Sequence, residues 1–272
     1  MGTDRATGLL PVTDGELYYE SAGDGPSVVL LHGGMLTAET WDEQFALLAD
    51  AGYRVIRYDA RNHGRSSTST GDFRHYEDLR ELLAGLGVRS AALVGLSLGA
   101  RIAVDFALAH PDLVDALVAI SPGISGYAFV EPVTLGQMNS AFQFFAAGDL
   151  PQGVEWFLRA WVDGPLRTPD QLDPGLRERL GQISLRSITP HSGMVGGAQE
   201  LDAANRLGEL RTPLLTMVGD LDSSDIRAIA GLLAEVPGAE RVDLPGAGHM
   251  LNLELPEQVD RLLLDFLGRQ LS

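Results

Sequence analysis

The chain of 272 residues contains no cysteine. Disulfide scaffolding, thiolate catalysis and Cys-ligated zinc are therefore all excluded. Lysine is absent too, so all 20 basic side chains are arginine, against 37 Asp and Glu and a formal net charge of −17. The arginines are scattered singly and form no basic run of the kind that phosphate binding needs, so nucleic acid is not an expected partner. An acidic surface equally disfavours docking on anionic lipid. The charge itself reads as a device for solubility. No apolar run reaches the ~18 residues of a membrane-crossing helix. Asp4 and Gly8 stand where a secretion leader would place its apolar region, and Ala6 where a myristoylation signal wants Ser or Thr. A cytoplasmic monomer or homodimer is expected. His63, His75, His110 and His191 have no metal-ligand spacing, and no H-E-x-x-H occurs, so no metal is expected. The glycines between Gly193 and Gly197 match neither a P-loop nor a dinucleotide fingerprint, so no nucleotide cofactor is expected.

The composition that remains is 45% hydrophobic and 21% charged, that of an ordinary globular protein. Its length suits one large core, alone or with an insertion. Strands are predicted at Glu16–Ser21, Ser27–Leu31, Tyr53–Tyr58, Ala91–Leu96, Leu117–Ile120, Thr212–Val218 and Arg241–Leu244. The continuous apolar runs Ser27–Leu31 and Ala91–Leu96 suit strands buried on both faces of a parallel sheet. Helices are predicted at about Thr40–Asp50, Phe73–Leu86, Leu98–Ala109, Asp225–Leu233 and Pro256–Leu267. Strands alternating with helices argue for βαβ units, right-handed crossovers and an α/β fold with a mostly parallel sheet. From about Pro122 to Leu207 this rhythm breaks. That stretch has no apolar strand and is rich in aromatics, so it reads as an inserted helical cap, with the core formed by 1–121 and 208–272.

Gly95-Leu96-Ser97-Leu98-Gly99 matches G-x-S-x-G, the tight strand-to-helix turn that lifts a serine to the carboxyl end of a sheet. Its place between an apolar strand and a helix gives the motif its confirming context, and Ser97 is the expected nucleophile. His249 follows the last predicted strand within Gly246-Ala247-Gly248-His249, where the general base belongs in the chain order Ser…Asp…His. A carboxylate is needed to hold the imidazole in one tautomer. Asp220, Asp222 and Asp225, after the strand that ends at Val218, all compete for that role. The glycines of His32-Gly33-Gly34-Met35 would let backbone N–H groups face an oxyanion, and the Leu98 N–H would be the second donor. His32 itself reads as a buried ring that fixes its loop.

Taken together, Leu31-His32-Gly33-Gly34, Tyr58-Asp59-Ala60-Arg61-Asn62-His63-Gly64-Arg65-Ser66, Gly95-Leu96-Ser97-Leu98-Gly99, Gly219-Asp220-Leu221-Asp222 and Gly246-Ala247-Gly248-His249 resemble, in order, the signatures of the α/β-hydrolase superfamily. The resemblance implies an eight-stranded sheet with a helical lid between the sixth and seventh strands. It implies Asp222 as the acid, because the acid is the last residue of the G-x-x-D pattern. It assigns the oxyanion donors to Gly34 and Leu98, with Met35 as the second choice, and it makes Asp59–Ser66 a structural loop. Ser97 departs from the Asp nucleophile of haloalkane dehalogenases and epoxide hydrolases. The missing Cys departs from dienelactone hydrolases, and Leu96 from the Asn usual in meta-cleavage C–C hydrolases. The elbow is most similar to the 3-oxoadipate enol-lactonase and small esterase group. The resulting expectation is a serine esterase or lactonase acting on a small, largely apolar molecule, with Met35, Trp41, Phe142, Phe145, Trp156 and Trp161 lining its pocket. Perhydrolase or haloperoxidase-like chemistry, thioester cleavage, and a slow ligand-binding receptor are the alternatives the same triad allows.

Overall fold

The computed structural model describes residues 5–271. Eight strands form one sheet: β1 (Arg5–Val12), β2 (Gly15–Ala22), β3 (Ser27–Leu31), β4 (Arg54–Tyr58), β5 (Ala91–Leu96), β6 (Val114–Ile120), β7 (Leu214–Gly219) and β8 (Glu240–Leu244). Their order across the sheet is β1-β2-β4-β3-β5-β6-β7-β8. β1 pairs antiparallel with β2, β2 antiparallel with β4, and every pair from β4 to β8 is parallel. The sequence pattern misses β1. Gly8 and Pro11 interrupt its alternation, and it is a half-exposed edge strand, a position in a sheet that tolerates proline. The reading of Met1–Pro11 as no secretion leader falls partly on residues 1–4, outside the described ones; Arg5–Pro11 lie in β1.

Helices cover both faces. α1 (Asp42–Asp50) and α9 (Pro256–Gln270) pack on one side, and α2 (His75–Gly85), α3 (Leu98–Ala109) and α7 (Ser224–Ala234) on the other. The period-2 alternation of strands assigns each residue its side. Val28, Leu30, Ala92, Val94 and Leu96 enter the core with Phe45 and Leu263. Val29, Leu31, Ala91 and Leu93 enter the core with Leu79, Phe106 and Ile229.

Between β6 and β7 the chain forms α4 (Pro132–Ala146), α5 (Leu150–Leu158), a single π-helical turn at Arg159–Asp163, and α6 (Pro174–Ile188). α5 and α6 pack through Val154, Leu158, Leu180 and Ile183 onto the core beside α1 and α9. α4 is held more lightly, for only Thr134 and Ala141 of its fifteen residues are buried. The short helix α8 (Leu251–Glu254) follows β8. Among the described residues no helix is long and apolar enough to cross a membrane.

Candidate active site

In a parallel sheet, the loops after the carboxyl ends of the strands share one edge, and there they can build a site. Here the loops after β3, β5, β7 and β8 meet. At the end of β5 the chain must reverse into α3 within one residue, and Ser97 takes it through φ 53°, ψ −107°. That strained conformation is rare for a side chain other than glycine. It is held by the Ser97 N–H donating to Ile120 O (3.0 Å), and by Ser97 O accepting from the N–H groups of Arg101 (3.0 Å) and Gly123 (3.2 Å). The flanking glycines are dictated by contact: a Cβ on Gly95 would strike the backbone of Gly99 and Ala100, and one on Gly99 the carbonyl of Leu31. The Leu98 N–H opens α3, where no intrahelical acceptor is available.

The loop after β3 turns on a bond from Leu36 N–H to Gly33 O (3.1 Å), with Met35 at φ 59°. This turn brings Gly34 beside the elbow, so that a Cβ at position 34 would stand 3.9 Å from Leu98 Cβ. His32 fixes the loop from below. Its Nδ1–H donates to Gly33 O (2.8 Å) and its Nε2 accepts from the Ala60 N–H (2.9 Å). Acceptance at Nε2 needs the neutral ring, and burial pushes its pKa down to about 4. The unfolded chain takes up a proton near pH 6.5 that the folded chain refuses until about pH 4, so stability falls as pH falls through that window. Between pH 7 and pH 5 this group alone is expected to remove about 2 kcal/mol. Urea unfolding of wild type beside His32→Gln checks it: the variant should lose about 2 kcal/mol of the difference between pH 7 and pH 5, while the buried His63 and His75, also pushed down to about 3, keep their own share of the slope; equal slopes would contradict the assignment.

The three competing acids separate cleanly. Asp222 is buried; its Oδ2 accepts from His249 Nδ1–H (2.8 Å) and its Oδ1 from the Ser223 N–H (2.7 Å). Asp220 instead accepts from the Gly246 N–H (2.7 Å) and shapes the turn after β8. Asp225 accepts from the N–H groups of Val130 (2.9 Å) and Glu131 (2.8 Å), tying the approach to α4 onto α7. With Nδ1 bonded to a carboxylate, the His249 proton sits there, and Nε2 is free to act as a base. His249 is buried, and the Trp161 ring lies over it at 4.8 Å between centroids. The π-helical turn sets Trp161 in that position, and such turns recur at functional sites.

One carboxylate grips the backbone on both sides of His249. Glu254 accepts from the Gly248 N–H (3.0 Å) and from the Met250 N–H (3.1 Å). Arg167 pairs with it (2.5 Å) and also donates to the carbonyls of Val162 and Asp163, which follow Trp161. Both side chains of this pair are under a tenth exposed. Removing one partner of a buried ion pair leaves the other unpaired and costs about 3 kcal/mol or more. Arg167→Met is expected to lose that much in chemical denaturation, and Arg167→Met with Glu254→Met less than the sum of the two single changes. Additivity would show that the pair is not coupled.

Ser97, His249, Gly34, Leu98 and Met35 line one cavity of about 270 Å³ together with Met138, Phe157, Trp161 and Met250. A second lobe of about 230 Å³ opens from Ser97 towards Phe129, Leu135 and Ile226. Met138, Phe142, Trp161 and Arg101 line both lobes. Of the aromatics expected on the pocket, Phe142 and Trp161 are there. Trp41 is not: it is fully buried in the core beside Phe45 and Leu48. Phe145 fills the space above Gly153 between α4 and α5, and Trp156 lies against the Arg159 guanidinium. Neither stands on the cavity. Phe157, Met138, Met250, Arg101 and His63 do, and sequence reasoning passed over them. The segment Asp59–Ser66, expected as a structural loop, places His63 on the cavity wall. A larger polar cleft, about 500 Å³, lies at Asp14, Arg61 and Asp72, but its Arg61 is already spent on Asp78 (2.6 Å), and its Thr13 hydroxyl, which donates to Glu81 (2.8 Å), has no histidine beside it among the lining residues.

A strained serine at a strand-to-helix elbow, a buried Asp–His pair and a mostly parallel sheet define the class. The profile of the alpha/beta hydrolase family matches residues 28–262. The chain belongs to that family, and it is a hydrolase. It is 29% identical to the pimeloyl-[acyl-carrier protein] methyl ester esterase of Aeromonas hydrophila, over 92% of this chain and 98% of that one. To the 2-hydroxy-6-oxo-6-phenylhexa-2,4-dienoate hydrolase of Burkholderia cepacia it is 27% identical, over 93% and 91%. Among solved structures, the carboxylesterase CesB from Bacillus subtilis superposes with a TM-score of 0.76 at 26% identity, covering 97% of this chain and 92% of that one.

Proposed function

We propose that this hydrolase cleaves a carboxylic ester or lactone of a small, largely apolar substrate through an acyl-enzyme. The observation that carries the reading is the 2.8 Å bond from His249 Nδ1 to the buried Asp222, on the cavity that also holds Ser97. Ser97 Oγ attacks the carbonyl carbon while His249 Nε2 takes its proton, and Asp222 stabilises the imidazolium. The N–H groups of Gly34 and Leu98 receive the charge that develops on the carbonyl oxygen. His249 then returns the proton to the departing alcohol. Water, deprotonated by the same nitrogen, releases the acid and restores Ser97. The 122–207 segment acts as the lid: it supplies Met138, Phe142, Phe157 and Trp161 to the apolar walls.

Hydrolysis of p-nitrophenyl esters of rising acyl length tests this. Turnover with an optimum at short or medium acyl chains, the lengths that ~500 Å³ of combined lobe volume admits, supports it. An enzyme that binds these esters yet leaves all of them intact would instead favour a receptor with slow turnover, or chemistry on another acyl group such as a thioester.

A further inference from the structure

Asp222 fixes the ring of His249, the proposed base, at 2.8 Å, but a ring is placed no better than the backbone that carries it. On either side of it the Gly248 and Met250 N–H groups each donate to one oxygen of Glu254. Arg167 meets the same two oxygens as a fork, Nη1 at 2.5 Å and Nη2 at 3.3 Å. The rest of that guanidinium turns to the lid: Nε–H donates to Asp163 O and Nη2 to Val162 O, both at 2.9 Å. Those two residues end the π-helical turn that sets Trp161 over His249. The turn is anchored in its own right. The buried Asp163 carboxylate accepts from Arg177 of α6 at 2.8 and 2.9 Å, and Arg177 also donates to Glu155 of α5 at 3.1 Å. Gly248 shows how closely the parts fit, for a Cβ there would strike the Arg167 guanidinium. A buried ion pair adds little to the stability of a fold, because desolvation offsets most of its attraction. A forked guanidinium does fix direction, and here it joins the backbone around the imidazole to the backbone that holds the indole above it.

We infer that Glu254 and Arg167 are positioning residues for the proposed reaction: Glu254 holds the backbone of His249 in place, and Arg167 sets Glu254 by tying it to the π-helical turn of the lid. This inference rests on the ester or lactone reading and adds to it the device that keeps His249 Nε2 aimed at Ser97. Neither side chain touches substrate; both act through His249. A reacting group displaced by about 1 Å can lose on the order of a hundredfold in rate, so a grip on two adjacent N–H groups is enough to matter.

The test compares Glu254→Gln and Arg167→Lys with wild type on p-nitrophenyl butyrate and phenyl butyrate, which share one acyl group. The amide keeps one acceptor oxygen where Gly248 and Met250 need two, and the ammonium keeps the charge without the fork. Nitrophenolate leaves unaided, whereas the more basic phenoxide needs the proton that His249 returns, so a misplaced His249 slows the phenyl ester more. Glu254→Gln is expected to widen the ratio of the two kcat/KM values by about tenfold while KM stays close to wild type, and Arg167→Lys to widen it less. Asp78→Asn is the control. It breaks another buried ion pair, Arg61–Asp78 (2.6 Å), on α2, across the sheet from α8. It should lower the urea midpoint as Glu254→Gln does and leave the ratio at its wild-type value. A wild-type ratio in Glu254→Gln beside a lowered midpoint makes the pair merely structural and overturns the inference, and so does an equal widening in Asp78→Asn. If wild type cleaves neither ester, the ester reading fails by itself, and the rate at which a p-nitrophenyl alkylphosphonate labels Ser97 carries the comparison. Slower labelling in Glu254→Gln than in Asp78→Asn supports the positioning role; equal rates overturn it.

Discussion

Asp222→Asn is expected to lower kcat by about 10⁴-fold while the fold stays intact. The amide would still reach His249 Nδ1 and Ser223 N–H. However, an amide turned to accept from Ser223 can present an NH₂ to the ring, which forces the proton onto Nε2 and blocks the base. It also has no charge to balance the imidazolium. Asp220→Asn makes the sharper contrast, for Asp220 accepts only from the Gly246 N–H and an amide oxygen accepts equally well. That variant should keep a kcat close to wild type. Steady-state kinetics of the two variants side by side separate the acids, and the reverse ranking would move the orienting role to Asp220. Asp225→Asn belongs in the same series. Its carboxylate ties Val130 and Glu131 to α7, so its loss should show as reduced stability around α4.

The second large effect is expected at the proposed nucleophile. Ser97→Ala removes the attacking oxygen and leaves the donors of Gly34 and Leu98 in place, so kcat should fall by about 10⁶-fold and KM should change little. A residual rate above that of water alone is expected, because the oxyanion donors and the cavity still act on a bound ester. The backbone at position 97 pays for φ 53° in either case, so Ser97→Ala should unfold at the same denaturant concentration as wild type. A loss of activity accompanied by a lower midpoint would mean that the substitution had collapsed the elbow, and the kinetic comparison would then say nothing about chemistry.

The sequence was most legible where a residue's role is fixed by its immediate neighbours. Ala91–Leu96 has to be a strand buried on both faces, because nothing polar interrupts it, and the elbow that follows needs glycines on both sides for close approach. The eighth strand was available only through the family resemblance, since β1 is a half-exposed edge carrying Gly8 and Pro11. Chain spacing left three acids in contention. What distinguishes them is which backbone N–H groups each carboxylate meets, and those groups lie on other loops. The aromatics show the same limit. Trp41 and Trp161 are alike as residue types, yet one is fully buried in the core and the other is set over His249 by a π-helical turn that has no periodic signature. Arg101 did leave a signal, a charged residue one helical turn past the expected nucleophile on a helix whose neighbouring positions are apolar.

The central claim is that Ser97 carries the acyl group, and covalent trapping tests it most directly. Full-length protein treated with a p-nitrophenyl alkylphosphonate, then digested and sequenced by mass spectrometry, should carry one phosphonyl adduct per chain on the peptide containing Ser97. The adduct should form much more slowly in Asp222→Asn and not at all in Ser97→Ala. An adduct on another residue, or equal labelling of wild type and Ser97→Ala, would contradict the account.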